Sequence, residues 1–303
     1  MATQDSYCSF VWDWRANNEA TSMSFLIRLV LGAVFMIGGL FSYYGQTDLN
    51  PVTGEKQRIQ ISPRQEIVLG LQSRQKMAAQ YGGLYQNEAI QAYINSVGDR
   101  LIKNSAAQKS PYPFEFHLLK DPKTINAFAL PGGQVFITAA LLSRMNSEAQ
   151  LAAVLGHEIG HVVGRHGAEH LAKQNLGSSL VNAVGIVSSG GNDGGQGAAA
   201  IAGAVNHLVD LRYGRKDESE SDRFGLQFMT QAGYSPVGIL EVMKILAAVG
   251  SGSRQPEFLK SHPDPGNRFE TLSGLIAKQY PNGVPKTLEQ GRDRFAQYVR
   301  TAG

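Results

Sequence analysis

Apolar positions divide the chain into one uninterrupted run near the N-terminus and a longer remainder with periodic patterns. Residues 25–45 form the uninterrupted run, in which Arg28 is the only charged residue. A helix of this length measures about 30 Å, which matches the hydrocarbon core of a bilayer. Aromatic residues at both ends of the run suit the two membrane interfaces. The pattern predicts a transmembrane anchor at 25–45, with an N-terminal tail (1–24) before it and a linker (46–64) after it.

A signal peptide and a buried core helix are weaker interpretations of the apolar run. A cleaved signal peptide is disfavoured because polar and mixed residues fill positions 1–24 and no small-x-small cleavage site follows the run. A buried helix of a soluble core is disfavoured because no run this apolar recurs in the chain. Basic residues stand on both sides, with Arg15 and Arg28 on the N-terminal side and Lys56, Arg58 and Arg64 after the span. The positive-inside rule therefore gives no orientation.

Residues 65–303 show the mixed periodicities of an α+β domain. Apolar residues at helical spacing predict helices over 90–101, 151–163 and 239–249. Runs rich in aromatic and branched residues predict three strands, with Pro131-Gly132-Gly133 as a turn between the last two; these strands lie at 114–119, 125–130 and 134–138. We predict a mostly helical domain with a small β-sheet.

One segment of this domain has a different composition. Residues 177–205 are rich in glycine, alanine and serine. Such a composition is typical of a flexible insertion, either a plain linker or a flap over the site or the membrane.

The most informative motif is His157-Glu158-Ile159-Gly160-His161, which lies inside the second predicted helix. Residues four apart share a helix face, so both imidazoles can bind one metal ion, and Glu158 lies close enough to accept a proton from the attacking water. The pattern also occurs by chance. However, Ser147-Glu148-Ala149-Gln150 predicts a capping box at the start of an apolar helix, where such a polar cluster is costly to bury without a cation.

Two histidines leave a catalytic zinc ion one protein ligand short. His166 nearly fits an extended motif, but Gly167 stands where the third histidine should be. If the helix continues, His166 and His170 lie on its far side. We therefore interpret these two residues as a separate, solvated pair.

Two other places can supply the missing ligand. Glu218 and Asp222 share one face of a second predicted helix, so Glu218 could bind the metal while Asp222 orients a ligand histidine. The alternative is a solvated acidic helix face. His262 lies on a segment flanked by proline and glycine, which predicts a loop that can approach the metal without supplying a permanent ligand.

These motifs, in this order, resemble the zinc metallopeptidases of the HtpX, BepA and CAAX-prenyl-protease group. The resemblance covers roughly residues 65–280 and includes Asn126–Thr138, which is similar to a strand segment of that group. It implies a zincin-like domain that binds one Zn²⁺ per chain. The implied metal ligands are His157, His161 and Glu218, Asp222 orients a ligand, and the implied catalytic residues are Glu158, His262 and Arg268. Gly214 and Ser221 depart from the group's usual residues, but only by small-for-small changes.

The strand segment suggests how a substrate is held. If one strand is an unpaired sheet edge beside the zinc, an extended peptide can add to it through main-chain hydrogen bonds. The alternative is an ordinary packed hairpin. The candidate substrate-binding residues are Asn126, Ala127, Phe128, Gly133, Gln134 and Val135.

Charge and cysteine content narrow the function further. A net charge of +3 and a pI near 8.9 are too mild to suggest nucleic-acid binding. The single cysteine, Cys8, excludes an intrachain disulfide without fixing the compartment.

We expect a single-pass membrane-anchored zinc endopeptidase that acts on unfolded or misassembled proteins, and the resemblance to bacterial relatives implies an extracytoplasmic, periplasmic domain. The alternative is a non-proteolytic chaperone or adaptor on the same scaffold. A CAAX prenyl protease itself is disfavoured, because the sequence has one clear span.

Overall fold

The computed structural model describes only part of the chain. The described residues are 48–57, 59, 61–173, 203, 212–250, 256–263 and 267–299. They belong to one compact unit, Asp48–Gly303. The predicted anchor lies outside these residues, and so does the glycine-rich segment apart from Gly203. In the described ranges, no helix combines the length and the apolar character that a bilayer span requires.

Short strands and longer helices make up the described fold. The strands are β1 Asp48–Leu49, β2 Lys56–Gln57, β3 Glu115–Leu119, β4 Ala127–Leu130 and β5 Gln134–Thr138. The helices are α1 Pro63–Gln80, α2 Glu88–Lys103, α3 Ala139–Leu142, α4 Glu148–Val163, α5 His166–Lys173, α6 Arg215–Gln231, α7 Val237–Gly250, α8 Glu257–Ser261, α9 Arg268–Gln279 and α10 Arg292–Val299. A 3-10 turn, Ala106–Lys109, follows α2.

The predicted small sheet is confirmed and has three strands in the order β3-β5-β4. Strand β5 runs parallel to β3 and antiparallel to β4. It is therefore the central strand, and Phe136 at its middle faces His117 on one side and Phe128 on the other. Strand β4 lies at the edge next to α4.

Helix α4 is the centre of the fold, because every residue from Glu148 to Val163 is buried. Ser147 caps its N-terminus by accepting a hydrogen bond from the backbone N–H of Gln150 at 3.3 Å. The predicted capping box is only half formed, because the Gln150 side chain accepts from the N–H of Asn146 instead of Ser147. The other half of the cap is thus shifted by one residue.

Helices α4 and α6 approach each other closely along a seam of small residues. Gly156 and Gly160 of α4 face Gly225 and Ser221 of α6. A Cβ atom at Gly160 would lie 2.9 Å from the Cα of Ser221, which is too close for any side chain. The absence of a side chain at these two glycines of α4 therefore lets α6 approach α4 closely.

The predicted packing helices are also confirmed. Helix α2 buries Ile90, Ile94, Val97 and Leu101, which are spaced at one-turn intervals. Helix α7 buries a similar stripe of apolar residues, Ile239, Val242 and Leu246. Both helices join the core that surrounds α4. The predicted α+β class, mostly helical with a small sheet, holds for the described residues.

Candidate metal centre

Four buried side chains meet between α4, α6 and the end of α8. His157 and His161 come from α4, Glu218 from α6, and His262 directly follows α8. One ligand atom from each lies within 4.8 Å of the others. Residues far apart in the sequence therefore form one group of the size that a single metal ion needs.

The spacing of these atoms fits a tetrahedral ion. The Nε2 atoms of His157 and His161 are 3.1 Å apart. Glu218 places its carboxylate oxygens 3.6 Å from Nε2 of His157 and 3.5 Å from Nε2 of His161. His262 Nδ1 lies 3.0 Å from Oε1 of Glu218 and 3.4 Å from Nε2 of His157. Zinc bonds of 2.0–2.1 Å imply ligand atoms about 3.4 Å apart, so the residues suit zinc.

Glu158 lies beside this group with an unusual lack of partners. It is completely buried, and neither of its carboxylate oxygens has a hydrogen-bond partner within the described part of the chain. Nε2 of His262 lies 3.6 Å from Oε1 of Glu158. A buried carboxylate is costly unless a cation, a proton or a water compensates it. This unsatisfied group supports a metal and a reacting water at the same place.

Asp222 lies where the sequence analysis expected an orienting carboxylate. Its Oδ1 is 3.0 Å from Nδ1 of His157, the ring nitrogen that points away from the ligand group. Such an outer contact fixes the tautomer and the orientation of a ligand imidazole.

Arg268 contacts Glu218 and Asp222, two of the acidic residues of α6. It donates to Asp222 through Nε at 2.8 Å and through Nη2 at 2.6 Å. Its Nη1 lies 2.9 Å from Oε2 of Glu218. These contacts indicate that Arg268 positions the two carboxylates. Its implied role as a catalytic residue stays a prediction.

The interpretation of His166 and His170 as a separate, solvated pair is wrong. Helix α4 ends at Val163, and Arg165 adopts a left-handed conformation with φ 56°. The chain therefore reverses, and the buried His166 faces back towards the site with its Nδ1 3.0 Å from Nδ1 of His161. On its other side, His166 Nε2 lies 3.4 Å from Oε2 of Glu220. The interpretation failed because it assumed that the helix continued.

His170 is partnered as well, with its Nε2 2.9 Å from Oδ2 of Asp217.

Tyr213 is a site residue that the sequence analysis missed. Its ring is stacked on His161, with the centroids 3.9 Å apart, and lies 5.3 Å from the ring of His262. The backbone N–H of Tyr213 donates to the carbonyl of Ser261 at 3.0 Å, which ties it to the segment before His262. Tyr213 thus covers the ligand group. No local motif marks it, because it precedes α6 and its ring packs against histidines distant in sequence.

The protonation states suit metal binding. Burial lowers the pKa of His161 well below its ordinary value, which keeps the imidazole neutral. Burial would raise the pKa of Glu218, but the charge of His262 and a hydrogen bond from His161 outweigh it and hold that pKa far below its usual range. A neutral imidazole and a carboxylate are the forms that ligate a metal. Burial raises the pKa of Glu158, which favours its holding a proton.

The structure separates the predicted substrate-binding residues into two groups. Ala127 and Phe128 lie on the edge strand β4. Gln134 and Val135 lie on the central strand β5, and Gly133 lies in the turn before it. A central strand is paired on both sides, so Gln134 and Val135 do not lie at an edge of the sheet. The role of these residues in substrate binding stays a prediction. Strands β3 and β4 are the two edges of the sheet, and β4 is the edge strand next to α4.

Asn126 directly precedes the edge strand. Its Nδ2 donates to the hydroxyl of Tyr81 at 3.0 Å, and its carbonyl accepts from the N–H of Thr138. A narrow cavity runs between strand and site; its lining includes Ala129, Leu130, His161, Arg165 and Tyr213. The same cavity thus borders the edge strand and the ligand group.

Comparisons with known proteins agree with this geometry. Residues 88–276 match peptidase family M48. The chain is 31% identical over 226 residues to the beta-barrel assembly-enhancing protease of Escherichia coli, and this covers 73% of the chain but 45% of that protein, so the chain spans about half of its length. It is 28% identical over 274 residues to the mitochondrial metalloendopeptidase OMA1 of Schizosaccharomyces pombe, covering 86% of the chain and 77% of that protein. The resemblance inferred from the motifs is confirmed, and the chain belongs to peptidase family M48.

Proposed function

We propose that this protein is a membrane-anchored zinc endopeptidase that cleaves unfolded or misassembled proteins. The observation that carries the proposal is the position of Glu158. This buried carboxylate has no hydrogen-bond partner among the described residues, and it borders a ligand group with tetrahedral spacing. A binding module has no use for a base there, whereas hydrolysis requires one.

The residues that would hold zinc are His157, His161 and Glu218. When bound, zinc acts as a Lewis acid that polarises a peptide carbonyl and makes water acidic enough to react near neutral pH. Asp222 and His166 hold the two imidazoles from behind, at 3.0 Å each. Outer contacts of this kind raise metal affinity by keeping the ring nitrogens aimed at the ion.

Glu158 would act as the general base. It accepts a proton from the attacking water and then donates that proton to the leaving amine. Burial raises its pKa, and this favours the protonated form that the second step needs. Exclusion of water strengthens these electrostatic interactions.

His262 has two candidate roles, a latch on the metal or a helper in catalysis. Its Nδ1 lies at ligand spacing, 3.0 Å from Glu218 and 3.4 Å from His157. Four protein ligands close a zinc site, whereas a catalytic site keeps one position open. The geometry therefore supports a latch that occupies the position of the water. Cleavage then requires His262 to move away.

The substrate class follows from the edge strand. Strand β4 offers main-chain groups to an extended peptide, and this form of recognition depends little on side chains. Only a segment without stable structure of its own can pair in this way, so unfolded or misassembled proteins are the proposed substrates. The apolar run 25–45 is proposed to anchor the enzyme in a membrane, with the catalytic domain outside the cytoplasm.

Purified full-length protein tests the proposal. We expect about one zinc ion per chain and cleavage of casein. Glu158→Gln should retain the zinc but lose activity by about 10²- to 10⁴-fold, because the amide cannot accept the proton. Equal cleavage by the wild type and this variant would contradict the peptidase function. Suppression of casein aggregation without cleavage would instead favour the chaperone alternative.

The proposed anchor has a separate test. The full chain should stay with membranes during carbonate extraction, and a chain lacking 1–45 should be released. Release of both would contradict the anchor and leave the peptidase proposal intact.

A further inference from the structure

The C-terminal end of α4 is capped by side chains from the segment that precedes α1. Asn50 donates from Nδ2 to the carbonyl of Val163 at 2.6 Å, and Gln57 donates from Nε2 to the carbonyl of Gly164 at 2.6 Å. Both amides are buried. The last carbonyls of a helix have no intrahelical donor, and burial prevents water from supplying one. These two amides therefore satisfy acceptors that nothing local can satisfy.

Asn50 is held rigidly while it does so. Its Oδ1 accepts from the N–H groups of Val52 and Thr53 at 2.9 and 3.1 Å, which forms the turn between β1 and β2. Its Nδ2 also donates to Oε1 of Gln57 at 3.0 Å. The hairpin therefore aims both amides at the end of α4. Replacing the donor would leave the turn intact.

A third contact fixes the reversal after α4. Arg165 donates from Nε to Oε1 of Glu66 at 2.8 Å and from Nη2 to the carbonyl of Ile61 at 2.8 Å. Arg165 has φ 56°, a backbone conformation that is unfavourable for a residue other than glycine. The buried ion pair with Glu66 supplies the compensating interaction.

This reversal determines where His166 lies. His161 is in the last turn of α4, and the chain reverses four residues later at Arg165. Because of the reversal, the ring of His166 reaches Nδ1 of His161. A loosened end of α4 would release this contact and the orientation of one metal ligand.

We propose that Asn50, Gln57 and Glu66 are positioning residues for the metal centre. They form a capping clamp, which acts on His161 and His166 through the end of α4. This inference rests on the proposed metal site. The proposal also assigns a structural role to the predicted linker (46–64), because Asn50 and Gln57 lie within it.

The test measures zinc affinity of the full-length protein by competition with a chelator. Asn50→Asp keeps the acceptor oxygen of the turn but loses both donor bonds and places a carboxylate at the negative end of a helix. We expect about 10- to 100-fold weaker zinc binding, as for other outer contacts of metal ligands. For casein cleavage, we expect kcat to fall while KM stays within about twofold.

Gln57 provides a matched pair of variants. Gln57→Glu has the shape of glutamine but no donor, so it should behave like Asn50→Asp. Gln57→Lys loses the acceptor of the Asn50 amide but retains a donor for the carbonyl of Gly164, so it should bind zinc more tightly than Gln57→Glu does. Thr53→Ala is the control, because Thr53 Oγ1 accepts from the N–H of Glu55 within the hairpin and, among the described residues, bonds no group of α4.

The outcomes separate this inference from the proposed function. Wild-type zinc affinity and kcat in both Asn50→Asp and Gln57→Glu, even with lower thermal stability, would overturn the clamp and leave the peptidase proposal intact. A wild-type protein without zinc would overturn both. If Asn50→Asp does not fold, the zinc affinities of Gln57→Glu and Gln57→Lys test the clamp instead. Equal zinc affinity in these two variants would also overturn the clamp.

Discussion

Gly160→Ala tests whether the close approach of two helices builds the metal centre. Gly160 lies between the two histidines of α4 and faces Ser221 of α6. An added Cβ would lie 2.9 Å from the Cα and 3.0 Å from the carbonyl oxygen of Ser221. Both are backbone atoms, so a side-chain rotation cannot relieve the clash. The helices themselves must move apart.

The size of that movement can be worked out from the contact. Ordinary carbon contacts begin near 3.4 Å, so α6 must shift by about 0.5 Å. Metal ligand distances tolerate about 0.2 Å, and Glu218 on α6 moves with Ser221. We expect zinc binding to weaken by at least about tenfold, or about 1.4 kcal/mol. Overpacking should lower the free energy of unfolding by about 1–3 kcal/mol, whereas the better helix propensity of alanine should raise it by about 1 kcal/mol.

The measurements are zinc affinity by chelator competition and unfolding by urea. Gly274→Ala is the matched control, since Gly274 lies in helix α9 and its added Cβ meets nothing within 4 Å. In the control, the free energy of unfolding should rise by up to about 1 kcal/mol, and the zinc affinity should not change. Gly156→Ala should have a zinc affinity and a stability between those of Gly160→Ala and the control, because a Cβ at Gly156 would lie 3.2 Å from the backbone of Gly225. A Gly160→Ala protein that matches the control in both measurements would refute the reasoning.

Three further predictions concern other parts of the molecule. His262→Ala should raise casein cleavage several-fold and weaken zinc binding if His262 is a latch, whereas lower cleavage with unchanged zinc would make it a helper. Arg268→Lys should weaken zinc binding by about tenfold and destabilise the fold by about 1–3 kcal/mol, because one ammonium cannot bond both buried carboxylates; wild-type urea and chelator curves would exclude this. A hydrogen bond from Arg294 lowers the pKa of Glu289 below its ordinary value of 4.5, so this pair stabilises the fold above that pH and the stabilisation is lost as pH falls. The difference in urea midpoint between the wild type and Glu289→Gln should therefore shrink on acidification, and a constant difference from pH 7 to pH 3 would contradict the assignment.

Elements with a local periodic signal could be predicted from the sequence. The stripe on α2 and the helix around His157 follow from apolar residues at one-turn intervals, and three strands follow from branched and aromatic runs. Glu218 and Asp222 were predicted to share a helix face, and they do. In each case the signal lies within a few residues of the feature it predicts.

Features that depend on distant contacts or on one backbone angle could not be predicted. The position of His166 depends on the left-handed conformation of Arg165, which a residue other than glycine rarely adopts. The strand order decides which strand is an edge, and sequence alone does not give that order. The contact of Asn50 with Val163 joins residues 113 apart. Tertiary packing creates these features, so no local pattern contains them.

The N-terminal end of α4, like its C-terminal end, is fixed by hydrogen bonds from side chains distant in sequence. Glu148, in the first turn, accepts from Nε and Nη2 of Arg294 at 2.9 Å each. The hydroxyls of Tyr93 and Tyr234 donate to the same carboxylate at 3.1 and 2.9 Å. A carboxylate at a helix N-terminus also interacts favourably with the helix dipole. Together with the capping clamp and the glycine seam, these contacts fix the helix at both ends and along one side.

A helix fixed in this way restricts where the site can open. The two histidines and Glu158 move only if the core of the domain moves, which is costly because all of α4 is buried. His262 follows the short helix α8, and its covering partner Tyr213 is tied to that segment by the hydrogen bond to Ser261. Displacing this pair would uncover the ligand group without disturbing α4. Opening should therefore take place at His262 and Tyr213, and Tyr213 also lines the cavity that borders β4, the strand proposed above to hold the substrate.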